Sequence, residues 1–146
     1  FSGYGRENVD FFVIKDIKEP LNDVVKRRIE KVAPLQATRM GPAIRHAITK
    51  LEKQEAKTKF LFLISDGRPQ DRGYSREGVE KEYAIYDTRE ALNEARQKGI
   101  TPFCLTVDKE GHDYMRSMSH DMNYEVLADI SALPKRLPAL YRDLTV

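Results

Sequence analysis

The feature that most constrains the fold is a seven-residue run, Lys59–Ser65 (KFLFLIS), that is apolar at almost every position. A strand with one face in water alternates apolar and polar residues, whereas a strand covered on both faces of a parallel sheet does not. The run therefore predicts a strand buried on both faces, which ends at Asp66. A second run, residues 100–107 (ITPFCLTV), has the same character and ends at Asp108. Parallel strands need a crossover connection between them, usually a helix.

Helical periodicity fills the segments around these two runs. Apolar residues recur at helical spacing over residues 21–32, before Pro34, and again over residues 40–51. Asp87 opens a capping-box pattern (DTRE) that predicts the start of a third helix, and Gly99 ends it. The other predicted elements are an edge strand over residues 9–17, a loop over 68–82, a short helix at 114–118, a short strand at 124–127, and a final helix that Ser131 caps and Pro138 kinks or divides into two turns.

The alternation of strands and helices predicts an α/β fold: an open, mostly parallel sheet with helices on both faces. The 146 residues suit a single domain spanning residues 1–146. A net charge of +2, from 25 basic and 23 acidic side chains, provides no basic surface for nucleic acid. No apolar run approaches the roughly 20 residues of a membrane span and no signal peptide opens the sequence, so a cytoplasmic location is expected. Cys104, the single cysteine, lies in an apolar run and is predicted to be buried.

Two loops at the predicted carboxyl edge of the sheet carry candidate metal ligands. Thr38 lies just before the second helix, and Asp66 directly follows the strand Lys59–Ser65. Ligands of open α/β sheets bind beyond the carboxyl ends of the strands, and a hard divalent cation prefers oxygen ligands. Thr38 and Asp66 are therefore predicted to hold Mg²⁺, or Mn²⁺ or Ca²⁺, with further oxygens needed to complete its coordination.

Other interpretations of these residues stay open. Thr38 could simply cap its helix and Asp66 could simply terminate its strand. A small metal-dependent α/β hydrolase could use Asp66 and Asp108, although no nucleophile motif, glycine-rich phosphate cradle or positioned base accompanies them. His46 is expected at the surface or boundary of its helix. A group of acidic and histidine residues matches no standard ligand motif and indicates a solvated loop: Asp108, Glu110, His112, Asp113, His120 and Asp121.

The order of these motifs resembles the second half of a von Willebrand factor A domain. The residues that carry the resemblance are Thr38, Gly41, Ala43 and Ile44, then a helix, a hydrophobic strand and Ser65-Asp66-Gly67. Four stretches are similar to the A domains of the NorD and CbbO type, and together they cover essentially the whole chain: residues 38–47 (TRMGPAIRHA), 64–71 (ISDGRPQD), 87–92 (DTREAL) and 101–111 (TPFCLTVDKEG).

The resemblance implies a Rossmann-like fold and a metal-ion-dependent adhesion site that includes Thr38 and Asp66. In this family a carboxylate from the partner completes the metal's coordination, so the output is recognition and not catalysis. The residues expected to contact the partner are Arg39, Gly67, Arg68, Asp71 and Tyr74. Tyr74, Tyr83 and Tyr86 could form a lid over the site.

The resemblance also implies specific partners. Proteins of this group couple a hexameric AAA+ ATPase of the MoxR class to a client enzyme. The client is nitric oxide reductase in the NorD branch and Rubisco in the CbbO branch, and residues 108–114 slightly favour the latter.

One part of the family pattern has no counterpart in the sequence. A complete adhesion site includes an Asp-x-Ser-x-Ser motif on the first, central strand, and residues 129–133 (DISAL) are only a partial match. Because residues 1–5 resemble the end of the family's second strand, the chain is expected to be an N-terminally truncated domain that lacks this strand. Such a chain is expected not to bind the cation tightly and to expose strand edges that invite strand exchange or edge pairing with another copy.

Overall fold

The computed structural model describes residues 1–4, 7–70, 80–119 and 123–146. Two strands, β1 (Ser2–Tyr4) and β2 (Asn8–Asp10), form an antiparallel hairpin. Three further strands form a parallel sheet in the order β3 (Lys59–Ser65), β4 (Ile100–Thr106) and β5 (Tyr124–Val126). The α-helices are α1 (Asp23–Glu30), α2 (Met40–Glu52), α3 (Glu80–Gln97), α4 (Gly111–Ser119) and α5 (Leu133–Thr145).

Helices cover both faces of the parallel sheet, which confirms the predicted α/β class. On one face, α2, α3 and α4 pack against β3 and β4 through a core that includes Met40, Ile48, Leu92, Cys104 and Met115. On the other face, Leu140 of α5 packs against a smaller cluster that contains Phe103, Leu105 and Leu127. The register, from Lys59 opposite Ile100 to Ser65 opposite Thr106, brings the carboxyl ends of β3 and β4 to the same edge.

The hairpin and the parallel sheet share no strand pairing in the described part of the chain. Residues 37 and 38 connect them: Gly3 and Ala37 exchange two backbone hydrogen bonds of 2.9 and 3.1 Å, while Gln70 N donates to Thr38 O at 3.1 Å. A cavity of ≈ 430 Å³ lies between the two sheets and is lined by Phe1, beside β1, and by Ile64 of β3. The sheet is therefore interrupted at this cavity.

Two predictions about burial are wrong, and both concern surfaces on this interrupted side. Within β3 only Leu63 is fully buried and Ile64 is 43% exposed, because the outer edge of β3 has no partner strand among the described residues. Helix α1 forms where predicted, with the Asn22 side chain accepting from Val25 N at 3.1 Å. Of its apolar stripe, however, only Val25 is buried, and the exposed members are Leu21, Val24, Ile29 and Val32.

The predicted edge strand over residues 9–17 is confirmed only at its start, because β2 ends at Asp10. Pairing with β1 ends at Asp10, and the chain then turns at Asp16, whose carboxylate accepts from Ile17 N at 2.7 Å and whose carbonyl accepts from Glu19 N at 3.1 Å. Local side-chain and backbone hydrogen bonds of this kind compete with a strand ladder. The β-rich composition of this segment therefore does not extend the hairpin.

Helix α3 begins at Glu80, seven residues before the predicted cap at Asp87. Residues 80–82 are therefore helical, and residues 71–79 of the predicted loop lie outside the described part of the chain. The extra turns pack through small residues, since Ala84 and Thr88 are fully buried and Thr88 Oγ1 donates to Ala84 O at 2.8 Å. Gly99, with φ of +72°, ends the helix as predicted.

The capping prediction for Ser131 is wrong. Asp129 caps a short 3₁₀ turn, Ile130–Ala132, and its carboxylate accepts from Ser131 N at 2.7 Å. Pro134 lies in the first turn of α5, as predicted, but α5 runs through Pro138 as one helix and not as two turns. The short helix α4 and the strand β5 agree with the sequence predictions.

Cys104 lies in the core, as predicted, and its thiol provides a test of the packing. The residue is 2% exposed, and burial raises the pKa of its thiol to about 12. Because the thiolate is the reactive form, we expect an aromatic disulfide reagent to leave Cys104 unmodified at neutral and mildly alkaline pH. Labelling should begin only at denaturant concentrations that unfold the protein, as measured in parallel by circular dichroism. Rapid labelling of the folded protein would contradict this packing.

Candidate divalent-metal and partner-binding site

Asp66 lies at the corner where the chain leaves β3. The hydroxyl of Ser65 donates to Gly67 O at 2.8 Å and accepts from Gly67 N at 3.3 Å, so the chain turns immediately after the strand. The Asp66 side chain is exposed at the carboxyl edge of the sheet, and it makes no hydrogen bond or ion pair with the described residues. A carboxylate with its oxygens unused is available to an external ligand.

Thr38 reaches the same edge from the loop before α2. Its carbonyl accepts from Gln70 N at 3.1 Å, so the loop is paired with the segment that follows Asp66. The next two side chains, Arg39 and Met40, are 7% and 0% exposed, which fixes the start of α2 in the protein interior. Thr38 itself is half-buried, and its hydroxyl makes no hydrogen bond to the described residues.

Thr38 and Asp66 line the same cavities. Both residues border the ≈ 430 Å³ cavity between the sheets, and both border a second cavity of ≈ 930 Å³ that runs along residues 11–14 and 31–37. Phe1 and Val32 also line both cavities. A hydroxyl and a carboxylate that face one water-accessible space are oxygen donors suited to a hard cation such as Mg²⁺. In the described part of the chain, no three His, Cys, Asp or Glu side chains cluster as metal ligands.

An ion-pair cluster joins α2 and α3. Arg45 Nη1 donates to Asp87 Oδ1 at 2.7 Å, and Arg45 Nε donates to Glu94 Oε1 at 3.0 Å. Partial burial alone would lower the pKa of Arg45, but its hydrogen bonds to Asp87 and Glu94 raise that pKa above the ordinary value. Sequence reasoning missed this cluster because the DTRE pattern at residues 87–90 indicates a helix cap.

A second polar group lies at the end of β4. The Tyr114 hydroxyl and Thr106 Oγ1 are 3.2 Å apart, and Thr106 Oγ1 also accepts from Asp108 N at 3.1 Å. Burial raises the pKa of Tyr114 to about 12, and the nearby Asp108 charge adds to this effect. The Asp108 carboxylate accepts from Glu110 N at 3.0 Å and so shapes the turn into α4. Asp108 therefore stabilises the turn between β4 and α4, and no contact between Asp108 and Asp66 occurs among the described residues.

The other acidic and histidine residues of this region belong partly to a helix. His112 and Asp113 lie in the first turn of α4, while His120 and Asp121 lie outside the described part of the chain. The predicted solvated loop is therefore shorter than expected. His46 is exposed, as predicted, and its ring lies 4.5 Å from that of Phe11.

The predicted partner contacts fall in different environments. Arg39 is buried, whereas Gly67 and Arg68 are half-buried beside Asp66. A Cβ added at Gly67 would meet no atom of the described residues within 4 Å, so these residues leave space beside this corner. Asp71 and Tyr74 lie outside the described residues.

Tyr83 and Tyr86, two of the three tyrosines of the possible lid, lie on α3, and Tyr74 lies outside the described residues. They are 57% and 54% exposed, and the Arg89 guanidinium lies 4.8 Å from the centre of the Tyr86 ring. No helix in the described residues combines the length and apolar character that a bilayer crossing requires.

Comparison with known proteins gives consistent results. The model of the von Willebrand factor type A domain family matches residues 1–137. Protein NorD of Brucella melitensis is 37% identical over 144 residues, which are 99% of this chain and 22% of the relative. An uncharacterized protein of Pseudomonas aeruginosa is 40% identical over 144 residues, again 99% of this chain and 23% of the relative. The chain thus spans about a fifth of the length of these relatives.

A solved structure supports the fold alone. A mutant of the PilB minor pilin from Streptococcus sanguinis superposes with a TM-score of 0.63 at 16% identity, covering 83% of this chain and 42% of that one. The alignment covers most of the α/β architecture described above. At this level of identity the likeness concerns the backbone architecture and not the site.

Proposed function

The chain belongs to the von Willebrand factor type A domain family, and we propose that it is a metal-dependent protein-interaction domain with no catalytic chemistry of its own. In this proposal the domain acts in the cytoplasm and couples a MoxR-class AAA+ ATPase to the activation or remodelling of a client enzyme. Relatives that carry the name NorD favour the NorD branch, with nitric oxide reductase as client, over the Rubisco-activating branch.

The observation that carries the proposal is that Thr38 and Asp66 line the same cavity with uncommitted oxygens. One hydroxyl and one carboxylate leave several positions of a Mg²⁺ ion to other ligands, since Mg²⁺ requires six oxygens in octahedral geometry. A carboxylate from a partner protein is the natural ligand for an open position, because it neutralises the remaining positive charge. The space that the described residues leave beside Gly67 gives such a partner access.

The remaining protein ligands would come from a strand seated between the two sheets. Phe1 and Ile64 line opposite sides of the cavity there, and Thr38 and Asp66 lie on its border. An added strand that pairs with the outer edge of β3 would cover Ile64 and end beside Asp66. In the proposal this strand is the one that carries the family's Asp-x-Ser-x-Ser motif, and it brings the oxygens of that motif to the cation.

Calorimetric titration with Mg²⁺ and Mn²⁺ tests the proposal. We expect tight binding by the full-length protein and weak binding by the 146-residue chain, because the chain supplies only two of the ligands. Asp66→Ala should abolish binding in the full-length protein. Asp108→Asn is the matched control, since the amide oxygen can still accept from Glu110 N, and it should bind as the unmutated protein does.

The outcomes separate the proposal from its alternatives. If Asp66→Ala and the unmutated full-length protein bind the cation with equal affinity, the proposed metal site is wrong. Loss of binding in both Asp66→Ala and Asp108→Asn would instead favour the hydrolase hypothesis, in which the two carboxylates share the metal. Because the free edge of β3 can also pair with a second copy, the mass of the 146-residue chain in solution should be measured under the same conditions.

A further inference from the structure

We propose that Asp87, on α3, is a positioning residue that sets the geometry of Thr38 by holding the first turn of α2 in place. The inference rests on the proposed metal site and adds a residue to it that lies on another helix. Asp87 belongs to the DTREAL segment, where the sequence indicates a helix cap; the structure places it inside α3, facing α2.

The contact between Asp87 and α2 is closer than any residue other than glycine allows. A Cβ built at Gly41 would lie 2.0 Å from Asp87 Oδ2 and 2.7 Å from Asp87 Cγ. Real Cβ atoms do not approach other heavy atoms this closely, so the carboxylate occupies the volume of the missing side chain. Glycine at position 41 therefore allows a side chain from α3 to approach this closely, which accounts for a residue of poor helix propensity in the first turn of α2.

Arg45 holds the Asp87 carboxylate against this turn, and Glu94 in turn orients the Arg45 guanidinium. Arg45 lies one helical turn after Gly41 on α2, and its guanidinium bonds Asp87 through Nη1 at 2.7 Å and Glu94 through Nε at 3.0 Å. The Asp87 side chain is 19% exposed, so the Arg45–Asp87 pair is shielded more than an ordinary surface ion pair. The negative charge of Asp87 also lies at the amino end of α2, where the helix dipole favours an anion.

Only a short and buried segment separates Gly41 from Thr38. Only Arg39 and Met40 lie between the two residues, and both are buried. Thr38 is also fixed on its other side by the hydrogen bond from Gln70 N to its carbonyl. Any displacement of the first turn of α2 must therefore be taken up at Thr38. Residues that orient metal ligands through such contacts typically change metal affinity about 10–100-fold when they are replaced.

Three variants of the full-length protein test this role. Asp87→Asn keeps the shape of the side chain but removes its charge, and Gly41→Ala forces α2 away from Asp87. The double variant Gly41→Ala/Asp87→Ala makes room for the added methyl group and should restore the spacing of the two helices. Glu90→Gln is the matched control, because Glu90 lies on the same helix and its ion pair among the described residues is with Arg89, at 3.7 Å, and not with α2.

Two readouts are needed: the Thr38 methyl resonance in threonine-labelled protein, and Mn²⁺ affinity. Asp87→Asn and Gly41→Ala should each shift the Thr38 resonance and lower Mn²⁺ affinity about 10-fold or more. The double variant should shift the Thr38 resonance less than Gly41→Ala alone, because the overlap with Asp87 is relieved although the ion pair with Arg45 stays lost. Glu90→Gln should change neither readout. A merely structural loss of stability would not be reversed at Thr38 by a second destabilising substitution.

The positioning role is overturned if the Thr38 resonance is the same in Asp87→Asn, Gly41→Ala and the unmutated protein. It is also overturned if Glu90→Gln shifts that resonance as much as Asp87→Asn does. Failure of the unmutated protein to bind Mn²⁺ would contradict the proposed function instead. The Thr38 resonance would still show whether Asp87 positions this loop. Failure of the positioning role can therefore be distinguished from failure of the proposed metal site.

Discussion

Replacing Asp66 by alanine is expected to reduce ATPase-dependent activation of the client enzyme to background in the full-length protein. The carboxylate is exposed at the corner after β3 and contributes no hydrogen bond or ion pair to the described residues, so its loss should leave the melting temperature nearly unchanged. The cation, however, would lose the only anionic ligand that this chain is proposed to provide. Without the cation, a partner carboxylate would face Thr38 with no positive charge to attract it.

Variants of Thr38 test the same site, because they distinguish the effect of the hydroxyl oxygen from the effect of the side chain's shape. Thr38→Val keeps the shape but removes the oxygen, and it should lower activation strongly. Thr38→Ser keeps the oxygen and should retain most of the activity. Client activation and ATPase rate are measured together, with melting curves as the control for folding. Full activation by Asp66→Ala would show that recognition does not pass through this cation.

Leu105→Ala is expected to lower the free energy of unfolding by about 2–5 kcal/mol, whereas Ile64→Ala should lower it by less than about 1 kcal/mol. These two residues are register partners on β4 and β3, so their side chains share one face of the sheet. Leu105 is fully buried against Phe103, Leu127 and Leu140, while Ile64 is 43% exposed to the cavity between the sheets. The expected difference arises from burial alone.

Denaturant unfolding of both variants measures this difference. In the 146-residue chain, equal losses from the two substitutions would show that the cavity beside Ile64 is closed in solution. In the full-length protein, a strand seated in the cavity should raise the cost of Ile64→Ala towards that of Leu105→Ala. The change in the cost of Ile64→Ala between the two proteins therefore reports whether the cavity is filled.

The parts of the fold that could be predicted are those with strong and local signals. The apolar runs of β3 and β4 and the stripe of α2 each match one period over a whole element, and they appear with bounds close to those expected. The same runs place Asp66 correctly at the carboxyl edge of β3. The α/β architecture, and the location of Thr38 and Asp66 on the same cavity, agree with this pattern and with the general location of ligands in open sheets.

The predictions that failed depend on what covers an element and not on its own residues. The stripe of α1 is apolar, but its burial depends on a neighbour that the described residues do not provide, and Leu21 is 66% exposed as a result. The start of α3 was missed since Ala84 and Thr88 pack through small surfaces that give little hydrophobic signal. Asp87 was read as a cap because its contact with Gly41 spans two helices, and local sequence cannot reveal such a contact.

The connection between the two sheets through consecutive residues has a thermodynamic consequence. Ala37 pairs with Gly3 in the hairpin and Thr38 pairs with Gln70 beyond β3, so the backbone at this dipeptide spans the boundary between the two halves. Suppose that an occupant of the space between the two halves and a cation at Thr38 favour the same separation of the halves. The cation then raises the affinity for the occupant by the same factor by which the occupant raises the affinity for the cation. Metal affinity measured with and without the occupant, and occupant affinity measured with and without metal, should then give a single coupling free energy.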